Sequence, residues 1–167
     1  MKINNIMIIF LVLILNSCTT GKNISINNIG NINLLENKVG NTDFFISLPE
    51  NYYIETFMGP DFYVYYINTK NTELNEITSG GIYLGNHPSL FGDDKERNLI
   101  FIENLYCKIF NKDRKWKTYN DENNYIAEII IRNNGGKRWE NYMHIWAKGK
   151  TKDELYKIIC LFSTLRK

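Results

Sequence analysis

The sequence has little of what catalytic chemistry usually needs. Histidine occurs only twice in 167 residues, at His87 and His144. No H-E-x-x-H, C-x-x-C or G-x-S-x-G pattern occurs, so zinc-hydrolase, dithiol and serine-nucleophile arrangements have no local signature. An excess of one charge is also missing: 20 basic residues stand against 18 acidic ones, a formal net charge of +2. So even a balance makes no electrostatic case for nucleic acid, whose binding rests on clustered cations. The two densest basic stretches, Lys112 to Lys117 and Lys148 to Lys152, are mixed with or followed by acids and read as solvated turns. Gly80-Gly81 and Gly135-Gly136 lack the strand–loop–helix setting of a phosphate cradle and read as turn glycines. After residue 21 no apolar run matches the one that opens the chain.

That opening run is the first feature present. Lys2 precedes an unbroken apolar stretch of ten residues, Ile6 to Leu15, and Ser17, Thr19, Thr20 and Gly21 surround Cys18. A positive start, a short apolar core and a small-residue cleavage site make a secretory signal. The run falls short of the roughly 20 residues a spanning helix needs. Leu15-Asn16-Ser17-Cys18 resembles the lipobox of bacterial lipoproteins, with an aliphatic residue three before the cysteine and a small one just before it. The resemblance implies diacylglyceryl transfer to the Cys18 thiol, cleavage between Ser17 and Cys18, and a protein of the bacterial cell envelope. The membrane is then its first partner, reached through the lipid, and an envelope protein is the expected second. Thr19 does not decide between inner and outer membrane, and the domain faces the periplasm or the exterior. The alternative is an ordinary signal peptide with an incidental cysteine.

Residues 1–17 are read as signal peptide. Without them 150 residues remain, and loss of Lys2 lowers the formal charge from +2 to +1. That length suits one domain with one core. Residues 18–41 are rich in Ile, but Asn and Gly interrupt every short run, so a flexible tether is expected there, with one edge strand near Ile32 to Leu35. Residues 42–167 are read as a single α+β domain. Phe44 to Leu48 alternates as a strand, and Tyr52 to Phe57 is read as its return after the Pro49-Glu50-Asn51 turn. Phe62 to Ile67 and Gly80 to Asn86 follow as strands. Residues 99–110 suit strand or helix, and 114–119, 124–133 and 139–147 continue the sheet. The expected turns are Asn111-Lys112-Asp113, Asn120 to Asn123 and Asn133-Asn134-Gly135-Gly136, the last a strong hairpin signal. The result is an antiparallel meander of about six or seven strands.

A C-terminal helix is expected from Lys152 to about Thr164. Thr151-Lys152-Asp153-Glu154 is a capping box, and Leu155, Ile158, Ile159 and Phe162 form one apolar stripe. The strands carry aromatics on both faces, among them Tyr52, Tyr53, Phe62, Tyr63, Tyr65, Tyr66 and Tyr83. One helix covers one face only. Either a second helix near 93–106 covers the other, or part of it stays bare as a binding surface.

The opening Phe44-to-Ile54 segment, the meander and the closing His144-to-Ile159 segment are similar to the PsbP/Mog1-like α/β/α sandwich family. Its members bind photosystem components, small GTPases or envelope partners. The resemblance therefore implies a fold and no particular activity.

Few side chains stand out as sites. Cys107 and Cys160 are an even pair in an exported protein, either bridged or packed as free thiols. His144 alternates with Tyr142 and Trp146 and reads as an ordinary residue of the less buried face. Asn86 and His87 sit in a turn-rich Gly-Asn-His-Pro-Ser loop that is either a structural turn or a binding loop. No metal site and no cofactor is implied, and no catalytic residue is assigned. The expectation is a non-enzymatic, membrane-anchored envelope lipoprotein with a binding or structural domain. An immunity protein against a toxin is the first alternative, and a small hydrolase the second.

Overall fold

The computed structural model describes residues 22–25, 33–70, 77–133 and 140–167. The leader, Cys18 and the Asn134-Gly135-Gly136 turn lie outside these residues. Among the described residues ten strands and one α-helix follow in chain order: β1 (Lys22–Asn23), β2 (Leu34–Lys38), β3 (Phe45–Pro49), β4 (Tyr52–Met58), β5 (Phe62–Thr69), β6 (Ile77–Gly85), β7 (Ile100–Ile109), β8 (Lys112–Asn120), β9 (Tyr125–Arg132), β10 (Tyr142–Gly149) and α1 (Lys152–Phe162).

The class is α+β, with a helix packed on a sheet, but the sheet is not a meander of six or seven antiparallel strands. It has eight strands in the order β1-β7-β8-β9-β10-β6-β5-β4. Two antiparallel runs, β4-β5-β6 and β7-β8-β9-β10, are joined where β10 pairs with β6, Ile145 opposite Ile82. β1 adds at the far edge, parallel to β7. Hairpin turns define each run locally, whereas the β6–β10 join links residues about 60 apart and has no local signal. A second correction concerns β4. It does not return along β3: β3 pairs with β2 in a separate two-stranded ribbon, and β4 pairs with β5.

Strand alternation sorts the side chains. Tyr65 and Ile67, Ile82 and Leu84, Ile129 and Ile131, and Met143 and Ile145 are buried on one face, under α1 and the β2–β3 ribbon. The helix buries the expected stripe of Leu155, Ile158, Ile159 and Phe162, and Cys160 and Leu161 as well. Residues 22–25 flank it: the Cys160 Sγ lies 3.0 Å from the Ser25 carbonyl oxygen, and Ile24 is buried in the core. Residues expected to be tether are thus part of the folded body, which begins before Thr42. At the helix start the Glu154 N–H donates to Thr151 Oγ1 at 3.2 Å. The Glu154 carboxylate accepts from the Lys150 N–H at 2.8 Å, so the return bond of the capping box goes one residue further back than expected.

Among the described residues no second helix covers the other face. Residues 100–109 form β7, where Leu105, Cys107 and Ile109 alternate into the core. The segment 87–98 crosses that face instead, with two short 3₁₀ turns at Phe91–Asp93 and Lys95–Arg97. Phe91 lies edge-on to Trp146 there, ring centroids 6.0 Å apart. Aromatic residues at the middle of the sheet are therefore covered, while the end of edge strand β4 is bare, with Phe57 53% and Met58 68% exposed.

The β7–β8 turn also differs from expectation. It is made by Phe110 and Asn111, with φ of 51° and 58°, not by Asn111 to Asp113. Both residues take the left-handed conformation that tight hairpins require, at a cost of about 1–2 kcal/mol for a phenylalanine. Phe110 is held there by its packing on Phe44, ring centroids 5.4 Å apart.

Candidate functional site

The most polar point in the interior lies on the loop-covered face. Glu128 is the one acid in the apolar run of β9, and it is 1% exposed. Cross-strand pairing brings it next to the β10 histidine: the Glu128 Oε2 lies 3.0 Å from the Nε2 of His144, which is 3% exposed. An ionised carboxylate only accepts, so Nε2 carries the proton. The loop supplies two more donors. The Phe91 N–H reaches Oε2 at 2.8 Å and the Gly92 N–H reaches Oε1 at 2.9 Å. The Tyr119 phenol lies near enough to feel the carboxylate's charge. Burial alone would push the Glu128 carboxyl up. The bonds from His144, Gly92 and Phe91 outweigh it and hold Glu128 below its ordinary value. Burial, reinforced by the charges of Glu128 and Asp93, pushes the Tyr119 phenol up.

This arrangement fastens the 87–98 segment to the sheet. His144 is thus no ordinary strand residue of a less buried face. The His87 side chain is exposed and lies on the loop, and its backbone N–H donates to the Tyr83 hydroxyl at 3.2 Å. Asn86 Oδ1 accepts from the side-chain amide of Asn141 at 2.9 Å, tying the loop to the start of β10. The two histidines are not brought together. Cys107, under the helix, and Cys160, on the helix's inner side, lie on the opposite face of the sheet, buried and unbridged in this structure. Burial pushes the Cys107 thiol up to about 11 and the Cys160 thiol up to about 12, which leaves little nucleophilic thiolate. Among the described residues no group of three or more His, Cys, Asp or Glu side chains could hold a metal ion.

Three cavities stand out among the described residues: a wide, open one of about 590 Å³ beside the Asn86–His87 loop, reaching Asp93 and Tyr142, and two at opposite ends of the strands. Of the latter two, one lies beside the start of α1, where Lys148, Lys150 and Lys157 surround Glu154, Tyr52 and Ser79. The other encloses about 410 Å³ at the end carrying the Phe110 turn and the last residues of the described chain. Its floor is the exposed margin of the core: Phe44, Phe110, Ile131 and Met143. Its rim carries Lys112, Arg114, Arg132, Arg166 and Lys167, and no acidic residue. Arg166 is paired with Glu36, and the Lys167 Nζ sits 5.5 Å from the centre of the Phe44 ring. Arg114 has its Nε buried with no hydrogen-bond partner among the described residues.

Lys112 to Lys117 is accordingly a strand and not a solvated turn. Alternation splits it: Lys112, Arg114 and Trp116 face the helix side, while Lys115 and Lys117 face away. A charge count along the chain could not separate them, but a strand register could. Glu128 did have a local signal, as the lone carboxylate in Tyr-Ile-Ala-Glu-Ile-Ile-Ile. Its partner His144, and the Phe91 and Gly92 amides, had none. No protein-family profile, curated protein or solved structure significantly matches this chain.

Proposed function

We propose that the protein is a lipid-anchored component of the bacterial cell envelope whose domain binds a partner and catalyses no reaction. The observation that carries the reading is the lipobox-like Leu15-Asn16-Ser17-Cys18 segment; which end of the domain it would hold follows from β1. Its first residue, Lys22, follows Cys18 by four residues, a reach of at most about 14 Å. β1 runs parallel to β7, with Lys22 opposite Leu105 and Asn23 opposite Tyr106. The chain therefore enters β1 from the Ile100 end of the sheet. A lipid on Cys18 would hold that end close to the bilayer, with no long tether between. Ile100 is 70% and Phe101 53% exposed there, apolar side chains suited to a lipid surface. The basic cleft, at the opposite end of the strands, would face the surrounding compartment. Among the described residues no helix is long and apolar enough to cross a membrane.

The test is Cys18→Ala, followed by metabolic labelling with a palmitate analogue and by membrane fractionation. The expected result is loss of label, with the protein either released or left as an uncleaved precursor. Unchanged labelling and cleavage would overturn the anchor. Partner binding is tested separately by cross-linking in intact cells, which should capture one defined envelope protein.

A further inference from the structure

The basic cleft at the Phe110 turn has two features that core packing does not explain. Cations gather around it without an acid in the lining, although 18 acidic residues are spread over the chain. Like charges repel across such distances; Glu36 offsets Arg166 and the Phe44 ring holds Lys167, but Lys112, Arg114 and Arg132 meet no acid in the lining. Next, Arg114 presents a buried Nε with no acceptor, whereas buried donors are as a rule satisfied. The turn supplies an apolar surface beside these cations, with Phe110 held in the left-handed region by its packing on Phe44. Its ring forms part of the apolar floor.

We propose that this cleft binds an oxyanion carried on a short apolar body, such as an alkyl or aryl phosphate. The apolar part would lie against Phe44, Phe110 and Met143. The anion would accept from Arg114, whose planar fork matches phosphate and carboxylate oxygens, with Lys112 and Arg132 beside it. The volume is that of a small-molecule pocket, commonly about 300–1,000 Å³. The lysine cavity at the other end is a weaker site for an anion, because Glu154 stands among its lysines. The inference deepens the reading of a binding domain by naming the ligand class. It does not depend on lipid at Cys18, because its readouts lie on the domain. The same chemistry could come from an anionic lipid headgroup or from a free phosphate ester.

The experiment uses the full chain in phosphatidylcholine nanodiscs, with methyl-labelled methionine and nitrogen-labelled arginine, observed by NMR. Octyl phosphate, octanol and inorganic phosphate are titrated in turn. The Met143 methyl and the Arg114 Nε–H signals should move saturably with octyl phosphate, at concentrations about tenfold or more below those needed for either control. Arg114→Gln should raise the midpoint about tenfold or more. Lys112→Gln, an exposed change that leaves the core alone, should raise it about threefold. Signals that stay still in the native chain, or that respond equally to octanol and octyl phosphate, would overturn the proposal. A repeat in phosphatidylglycerol nanodiscs assigns the source. Movement of the two signals without added ligand supports the site with a lipid headgroup in it; response to octyl phosphate alone supports it with a free ester.

Discussion

Glu128 is a carboxylate sealed from water, so the donors around it decide what it contributes. Its value in the folded chain lies below the ordinary 4.5. As pH falls, the unfolded chain therefore takes up this proton before the folded one. The stabilisation is complete above the ordinary value and is lost as pH falls through the lowered one. Wild-type melting temperature should fall more steeply between about pH 5 and pH 3 than that of Glu128→Gln, and parallel curves would contradict this. At pH 7 the same substitution should destabilise by about 2–4 kcal/mol in denaturant titrations, since His144 and the Phe91 and Gly92 amides lose a charged acceptor. Amide exchange at Phe91 and Gly92 should rise with it, because these N–H groups hold the loop.

At the level of elements, the junction of β6 with β10 holds the two antiparallel runs together. The close approach there depends on Gly80. A Cβ at Gly80 would run into the backbone carbonyl of Trp146 and press on the Phe162 ring, so neither backbone nor helix could yield locally. Gly80→Ala should cost about 2 kcal/mol or more in a denaturant titration, and a neutral result would show that the junction can relax. The strands within each run were legible in the sequence because alternation and turn residues are local. Phe62 to Ile67 and the capped helix after Thr151 are examples. The β7–β8 turn was legible only approximately, since Phe110 has no intrinsic turn preference and adopts the conformation through its contact with Phe44. The segment 87–98 reads only partly as a loop, since a helix is also expected near 93–106, where a 3₁₀ turn and β7 stand instead. The segment's role as a cover for the sheet comes from contacts with residues on β8, β9 and β10, which are distant in sequence.

The whole molecule has two unlike ends. β7 spans ten residues, about 30 Å of strand, with exposed Ile100 and Phe101 at its start and the basic cleft beyond its finish. If lipid on Cys18 holds the first end to a bilayer, Phe101→Trp fluorescence should be quenched by brominated lipid tails, while Asn111→Trp should not. Equal quenching at both positions, or at neither, would rule out this orientation. The interior also confines the thiols: Cys107 lies beneath α1 and Cys160 on the helix's own buried face, which leaves Cys18 as the cysteine available to the envelope's acylation chemistry in the proposed reading.

The sequence by itself determined the local pieces: alternating strands, the helix with its cap and apolar stripe, an even charge balance, and a Leu15-to-Cys18 segment that resembles a lipobox. These follow from period, propensity and turn chemistry, all readable within a short window. Only the tertiary structure decided that β10 lies between β9 and β6 and that Glu128 meets His144 under the Phe91 and Gly92 amides. It likewise decided that Lys112, Arg114, Arg132 and Arg166 gather around one apolar floor. The reason is that strand order and cross-strand register depend on which distant faces bury each other. Burial is a property of the assembled layers, and the scarce histidines and scattered cations of the sequence acquire their roles only there.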